Sequence, residues 1–296
     1  MEFRGTYTAL VTPFKRGKVD YAAFKRLLER QKAARVTGVV PCGCTGEAAT
    51  LSLDERRELI RVTLDTVGGD LCVVPGTGTN STETTVALTK EAEKAGAHAA
   101  LLITPYYNKP SQRGLIEHYL RVAEATTLPL VLYNVPGRTG VTLTSDTVAE
   151  LYVSGRFAAI KEAGGSVDAV SDLRFKCSIT VLSGDDSLSL PMMAVGARGV
   201  VSVVSNLVPG MVREMIDSAL SGDFRTAGEM HFRLLPVVRA AFVESNPSPI
   251  KAMLSLEGLI ENELRAPLVP VGEKSYSVIR RALEDLVPKQ GGGDRP

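Results

Sequence analysis

The chain has 296 residues, a length that provides for one or two domains with a substantial core. Its 34 Lys and Arg residues and 33 Asp and Glu residues give a formal net charge of +1, which excludes a broad basic field for nucleic acid or anionic membrane. We therefore expect a small-molecule substrate, with neither nucleic acid nor a membrane as a partner.

Short apolar runs bounded by Gly, Pro or Asn recur along the chain, and each is followed by a longer segment whose apolar residues have the spacing of a helix. Such runs are typical of parallel strands covered on both faces, and eight βα units close a (β/α)8, or TIM, barrel of roughly 250 residues. An open doubly wound sheet is disfavoured, because Val11-Thr12-Pro13-Phe14 stands where that fold has G-x-G-x-x-G. The predicted strands are residues 7–11, 38–42, 71–74, 99–103, 130–133, 158–161, 180–183 and 200–203.

Capping residues predict where two of the helices begin. Asp20 precedes a helix that would bury Phe24 and Leu27, and residues 52–55, Ser-Leu-Asp-Glu, have the spacing of a capping box. The strand pattern stops at about Gly222, after which helical patterns run through residues 232–242, 250–260 and 276–286. We therefore predict a barrel catalytic domain at 1–222, a C-terminal helical extension at 223–290 and a disordered tail at 291–296.

The sequence offers no sign of a membrane, a disulfide framework or a metal site. Apolar runs fall short of the ~18 residues that cross a bilayer, and residues 1–5 lack the pattern of a signal peptide, so a cytoplasmic protein is expected. The four cysteines are too few for a disulfide scaffold, and apolar neighbours predict buried thiols at Cys42 and Cys72. Three isolated histidines, without C-x-x-C or H-x-x-x-H spacing, predict no metal.

The active site of such a barrel lies at the C-terminal ends of its strands. Lys161 follows the apolar residues 158–160, and burial there would lower its pKa. At the ordinary pKa of about 10.4, only about one lysine in two thousand is neutral at pH 7, and the neutral amine is the form that attacks a ketone. The alternative is a strand-end lysine that reaches solvent or pairs with Glu162. The reactive strand-end residues are Cys44, Thr45, Tyr106, Tyr107, Tyr133 and Lys161.

Two loops carry further candidates. Tyr133 begins a Pro- and Gly-containing loop, residues 133–140, which would place a phenol for proton transfer and the guanidinium of Arg138 for a carboxylate. The turn at residues 43–47 would let backbone N–H groups approach an anion. Each feature also has a plain structural interpretation, because loop arginines are usually solvated and glycine-rich turns join many strands to helices.

Several motifs in one order resemble the dihydrodipicolinate synthase family, within the pyruvate aldolase and N-acetylneuraminate lyase superfamily. The resemblance extends from about Gly5 to Leu286. The motifs are Gly43-Cys44-Thr45-Gly46-Glu47, Thr104-Pro105-Tyr106-Tyr107-Asn108-Lys109-Pro110, Tyr133-Asn134-Val135-Pro136-Gly137-Arg138-Thr139-Gly140, Ile160-Lys161-Glu162-Ala163, Ser183-Gly184-Asp185-Asp186 and Gly199-Val200-Val201-Ser202.

The resemblance implies a lyase that needs no dissociable cofactor. Lys161 would form an imine with pyruvate, and the derived enamine would add to the aldehyde of L-aspartate 4-semialdehyde. Transimination would then release 4-hydroxy-tetrahydrodipicolinate, on the route to diaminopimelate and lysine. Thr45 would hold the pyruvate carboxylate, Tyr133 would transfer protons, and Arg138 would bind the carboxylate of the semialdehyde.

The same resemblance implies three further assignments. Gly184 and Val201 would belong to the substrate-binding residues, with the backbone carbonyl of Val201 facing the lysine. Tyr107 would cross a tight-dimer interface into the site of the neighbouring subunit. A homodimer is therefore the expected minimum, and a tetramer of tight dimers is usual in the family.

Cys44 departs from the family pattern, which has a threonine there whose hydroxyl links Tyr133 to Tyr107. A thiol is larger, a weaker donor and a poorer acceptor, so we expect catalysis to continue with slower proton transfer. The alternative is a thiol that only fills space while Tyr133 exchanges protons with solvent.

Two other functions remain as alternatives. A 2-keto-3-deoxy sugar-acid aldolase or N-acetylneuraminate lyase would use the same lysine and tyrosine, but members of that kind generally lack an arginine at the position of Arg138. A catalytically silent barrel that binds a keto acid is the other alternative, and Cys44 is the residue that leaves it open.

Overall fold

The computed structural model describes residues 2–286, and their strands form one parallel sheet with a small hairpin beside it. The neighbour order in the sheet is β3-β2-β1-β8-β7-β6-β5-β4. Every predicted run overlaps a strand, so the eight strand predictions are confirmed. The strands are β1 (Gly5–Ala9), β2 (Gly38–Val40), β3 (Cys72–Val73), β4 (Ala100–Ile103), β5 (Leu130–Asn134), β6 (Phe157–Glu162), β7 (Thr180–Ser183) and β8 (Gly199–Ser202), and the hairpin pairs Phe14–Lys15 with Lys18–Val19.

The two edge strands of the sheet meet, because the segment that continues β3 pairs with β4. The amide of Leu101 donates to the carbonyl of Pro75 over 2.9 Å, and the amide of Thr77 donates to the carbonyl of Leu101 over 2.9 Å. Gly76 and Leu101 form the corresponding parallel bridge. The sheet is therefore curled and surrounded by helices, which is consistent with the predicted (β/α)8 barrel.

The helices follow the strands in the alternation that the sequence predicted. Asp20 caps α1 by accepting from the amide of Ala23, and Ser52 and Glu55 form the predicted capping box of α2. Helices within residues 2–286 are α1 (Tyr21–Ala33), α2 (Leu53–Val67), α3 (Thr82–Ala95), α4 (Gln112–Glu124), α5 (Pro136–Thr139), α6 (Ser145–Val153), α7 (Val167–Lys176), α8 (Ser189–Ala194), α9 (Pro209–Leu220), α10 (Phe224–Ala241), α11 (Ser248–Leu256) and α12 (Glu273–Leu286), with 3₁₀ turns at Ala48–Thr50, Asp186–Leu188 and Val204–Asn206.

Alternation along the strands separates an interior layer from a helix-facing layer. In β5 and β6, Val131, Tyr133 and Ala159 join the interior cluster, whereas Leu132 and Ile160 pack with residues of the surrounding helices. Lys161 has the same parity as Ala159 and therefore lies on the interior side. This alternation places an amine inside the sheet at the carboxyl end of β6.

The three helical patterns after Gly222 correspond to α10, α11 and α12, and α10 packs against both α9 and α12. Residues 287–290 of the predicted extension and the predicted tail at 291–296 lie outside the described residues. Cys42 is buried as predicted, whereas Cys72 is only partly buried. No helix within residues 2–286 combines the length and apolar character that a membrane span requires.

Candidate active site

Strand register brings Lys161 and Tyr133 together. The two residues are partners in the parallel pairing of β5 with β6, and both belong to the interior side of the sheet. Nζ of Lys161 lies 4.1 Å from the centroid of the Tyr133 ring. Both side chains are about 5% exposed. A primary amine and a phenol are therefore adjacent and largely withdrawn from water.

A cavity of about 480 Å³ opens over this pair at the carboxyl ends of the strands. Its wall includes Thr45 from the loop after β2, Arg138 from α5 and Gly184 from the loop after β7. Lys161 and Tyr133 complete the set of predicted residues that line it. The cavity suits a small acid with a carbonyl group, because an amine, a phenol, a hydroxyl and a guanidinium converge on one space.

Burial is the largest influence on Lys161 and lowers its pKa to about 8, with the charge of Arg138 acting in the same direction. Cys44 and Asp186 oppose the shift. At a pKa of about 8, roughly one lysine in ten is neutral at pH 7, compared with about one in two thousand for an unperturbed side chain. This environment favours the nucleophilic form of the amine.

The alternative of a solvated or paired Lys161 is wrong for this structure. Glu162 points to the opposite side of β6, where both its carboxylate oxygens accept from the side-chain amide of Asn134, at 3.1 and 3.0 Å. The backbone amide of Gly164 also donates to Glu162, at 2.7 Å. No carboxylate among residues 2–286 lies within ion-pair distance of Lys161. Glu162 is therefore satisfied without the lysine.

Tyr133 contacts Cys44, the residue that departs from the family pattern. Burial raises the pKa of Tyr133 well above its ordinary value, and the neighbouring Cys44 adds to the rise. Arg138 acts in the opposite direction. The phenol is therefore neutral at pH 7 and has a proton to donate.

Asn246 is a site residue that sequence reasoning missed. It lies between α10 and α11, lines the cavity and is 6% exposed. Its side-chain amide donates to the hydroxyl of Thr45 over 3.0 Å, and its backbone carbonyl accepts from Nη2 of Arg138 over 2.9 Å. Residues 244–249, Glu-Ser-Asn-Pro-Ser-Pro, give no catalytic signal, and their distance in sequence from Thr45 hid the contact.

Asp186 is a second buried polar residue near Lys161. It belongs to the motif Ser183-Gly184-Asp185-Asp186, but the sequence assigned it no role. Its carboxylate accepts from the hydroxyl of Ser202 and from the backbone amide of Val203, the latter at 2.9 Å. Burial raises the pKa of Asp186 to about 6, with the hydrogen bonds from Ser202 and Val203 opposing the shift. Asp186 therefore carries negative charge at pH 7 and favours the protonated form of Lys161.

Three predicted residues, Cys44, Tyr107 and Val201, are not among those that line the cavity, although Cys44 adjoins Tyr133. Tyr107 is 89% exposed, with a φ of 75°, on the loop between β4 and α4. Val201 is buried in the interior layer opposite Tyr7, and the cavity wall on that side includes Val203 instead. Among residues 2–286, acidic, His and Cys side chains nowhere form a cluster that would hold a metal ion.

Comparisons with known proteins agree over nearly the whole chain. The sequence profile of the dihydrodipicolinate synthetase family matches residues 2–286. The chain is 47% identical over 288 residues to the 4-hydroxy-tetrahydrodipicolinate synthase of Methanothrix thermoacetophila, with 96% of this chain and 97% of that protein covered. Identity to the protein of the same name from Syntrophobacter fumaroxidans is 45% over 285 residues, with 95% and 98% covered.

A solved structure gives the same result. The 4-hydroxy-tetrahydrodipicolinate synthase of the thermoacidophilic methanotroph Methylacidiphilum fumariolicum superposes with a TM-score of 0.95 at 45% identity, and 96% of each chain is covered. Fold, sequence profile and full-length identity thus agree. The chain belongs to the dihydrodipicolinate synthetase family.

Proposed function

We propose that this protein is a lyase that condenses pyruvate with L-aspartate 4-semialdehyde to give 4-hydroxy-tetrahydrodipicolinate, in diaminopimelate and lysine biosynthesis. The reaction takes place at the mouth of a (β/α)8 barrel that carries a C-terminal helical extension. The observation that supports it most is the buried amine of Lys161, with its lowered pKa, beside Tyr133 in a cavity. Family membership at about 45% identity supports the same activity.

The chemistry begins when the neutral amine of Lys161 adds to the keto carbon of pyruvate, and loss of water leaves an imine. A proton then leaves the methyl group, and the resulting enamine carbon attacks the aldehyde carbon of the second substrate. Tyr133 carries protons to and from the reacting oxygen, because its phenol is neutral and adjacent. The amino group of the second substrate displaces Lys161 by transimination and closes the ring.

Three residues are assigned to substrate binding by their positions in the cavity. The hydroxyl of Thr45 binds the carboxylate of pyruvate, and Arg138 binds the carboxylate of the semialdehyde with its planar guanidinium. Gly184 gives close access to the lysine, since a Cβ at this position would lie 2.9 Å from Cε of Lys161. The carbonyl of Val201 is assigned to the same site by family resemblance alone.

The active form in this proposal is a homodimer, or a tetramer of tight dimers, in the cytoplasm. Tyr107 supports it, because an aromatic side chain with 89% exposure is suited to enter a neighbouring subunit. A monomer in sedimentation of the active enzyme would contradict this assembly. The reaction as written needs no dissociable cofactor and no metal, since the imine of Lys161 itself activates the substrate.

The test of the function is a comparison of substrates with one preparation of enzyme. We expect turnover with pyruvate and aspartate semialdehyde, and little cleavage of 2-keto-3-deoxy sugar acids or N-acetylneuraminate, because Arg138 suits a short second carboxylate rather than a hydroxylated chain. Preferred cleavage of a sugar acid would favour the sister activity. Pyruvate binding without turnover of any of these substrates would favour the silent barrel.

Cys44→Thr is expected to raise kcat by roughly two- to tenfold, a part of the 10²–10⁴ that positioned proton transfer contributes to rate. A hydroxyl is the better donor and acceptor, and Cys44 adjoins Tyr133. Steady-state kinetics with both substrates would measure the change, with Cys177→Thr as the control at a partly buried thiol at the end of α7. An unchanged or lower kcat in Cys44→Thr would contradict a role for this position in proton transfer.

A further inference from the structure

We propose that Asn246 is a positioning residue that fixes Thr45 and Arg138, the two carboxylate-binding groups, from a single point in the C-terminal extension. The inference rests on the proposed function, because it takes the binding roles of these two side chains from it. Thr45 follows β2 and Arg138 lies in α5, so they belong to distant parts of the chain. Asn246 is hydrogen-bonded to both.

The side chain of Asn246 orients the hydroxyl of Thr45. Nδ2 donates to Oγ1 of Thr45 over 3.0 Å, and both residues are buried. A hydroxyl group has one donor hydrogen and two acceptor positions. Because Asn246 occupies an acceptor position, the hydrogen of Thr45 remains available to donate to a substrate carboxylate.

The backbone of Asn246 holds the second group. Its carbonyl accepts from Nη2 of Arg138 over 2.9 Å, which leaves the other nitrogens of the guanidinium for a ligand. This contact does not depend on the side chain at position 246. A substitution of Asn246 therefore separates the two contacts, since it removes the hydrogen bond to Thr45 and retains the hydrogen bond from Arg138.

The segment that carries Asn246 is itself anchored to the loop of Thr45. Lys251 of α11 forms an ion pair with Glu47, two residues after Thr45, and both side chains are fully buried. The amide of Lys251 donates to the carbonyl of Pro247 over 3.0 Å, and the amide of Ser248 donates to the carbonyl of Ser245 over 3.1 Å. The turn around Asn246 is therefore held firmly next to the site.

The amide oxygen of Asn246 is an unused acceptor at the wall of the cavity. Oδ1 is buried and has no hydrogen-bond partner among residues 2–286. A buried side chain that keeps a free acceptor at the cavity wall, in a residue that contacts two binding groups, fits a role in the site.

The experiment measures how pyruvate saturates Lys161 in Asn246→Ala. Borohydride reduction traps the imine, and the mass adduct is titrated against pyruvate concentration. We expect the half-saturating concentration of pyruvate to rise about three- to tenfold, the amount that one lost hydrogen bond gives. The apparent KM of aspartate semialdehyde should change less than twofold, because the contact with Arg138 is retained. The unfolding midpoint is measured beside it to show that the variant is folded.

A double-mutant cycle identifies the route of the effect. In a Thr45→Val background, Asn246→Ala should add almost nothing to the half-saturating concentration, because the partner hydroxyl is already absent. Asn262→Ala is the matched control, since Asn262 also has a buried, unpartnered amide oxygen in the extension but does not line the cavity. It should leave pyruvate saturation unchanged.

An equal effect of Asn246→Ala in both backgrounds, or equal effects of Asn246→Ala and Asn262→Ala, would overturn the proposal. If the wild-type protein forms the adduct but does not turn over aspartate semialdehyde, the proposed function fails while the positioning role is still decided by the pyruvate titration. Absence of the adduct in the wild-type protein would overturn both.

Discussion

Lys161→Met is expected to reduce turnover by on the order of a thousandfold or more while it stabilises the fold. The substitution removes the only group assigned to imine formation and keeps a long, unbranched side chain in a buried position. The difference between the ordinary pKa of 10.5 and about 8 corresponds to a cost of about 3 kcal/mol for the charged lysine in the folded state. Methionine does not carry this cost.

The sign of the stability change follows from proton binding. Between pH 8 and 10.5 the unfolded chain binds more protons at Lys161 than the folded chain, so wild-type stability rises with pH in this window. The cost of the charged lysine is fully present below about pH 8. The advantage of Lys161→Met in unfolding free energy should therefore be largest below pH 8 and vanish near pH 10.5. A less stable variant at pH 7 would contradict the buried, costly amine.

Borohydride trapping gives the matching measurement on the wild-type enzyme. The initial rate of adduct formation with pyruvate should rise with pH and level off above about pH 8, because the neutral amine is the nucleophile. Lys251 is an internal control, since burial lowers its pKa to about 8 as well but it is paired with Glu47 outside the cavity. The adduct should be found on Lys161 and not on Lys251.

Lys161 and Tyr133 were predictable because the relevant physics is local. Each ends an apolar strand, and neighbouring parallel strands place their carboxyl ends at one edge, so the pair had to lie close together. The capping box at residues 52–55 was predictable for the same reason, since its contacts span only three residues. Local pattern was sufficient to place these features, whereas the interpretation of Lys161 as the imine-forming residue came from the family resemblance.

Asn246 and the hairpin at residues 14–19 were not predictable in the same way. The contact of Asn246 with Thr45 joins residues 201 positions apart, and no local pattern encodes it. The hairpin strands have two residues each, which is too short for an alternation to appear. Glu47 belonged to a recognised motif, but its buried partner Lys251 lies 204 positions later, on a helix of the extension.

Lys251→Met is expected to lower the free energy of unfolding by about 3–5 kcal/mol, the cost of leaving one member of a buried ion pair uncompensated. Glu47 is fully buried, and without the lysine its carboxylate would keep only the backbone amide of Arg265, at 3.0 Å. Nζ of Lys251 also donates to the carbonyl of Glu263 over 2.9 Å and lies 4.2 Å from the centroid of the Phe14 ring. The measurement is denaturant or thermal unfolding at one fixed protein concentration.

The partner substitution shows whether the ion pair itself is responsible. Glu47→Gln in the Lys251→Met background should recover part of the lost stability, because a neutral amide is less costly to bury than an unpaired carboxylate. Lys32→Met is the control, since it removes a lysine from the exposed pair with Asp70 and should scarcely change the unfolding midpoint. Glu47 lies two residues after Thr45. Lys251→Met should therefore also displace the loop that carries Thr45 and weaken pyruvate binding. Stability lost without any change in pyruvate saturation would show that α11 stabilises the barrel but does not position its binding loop.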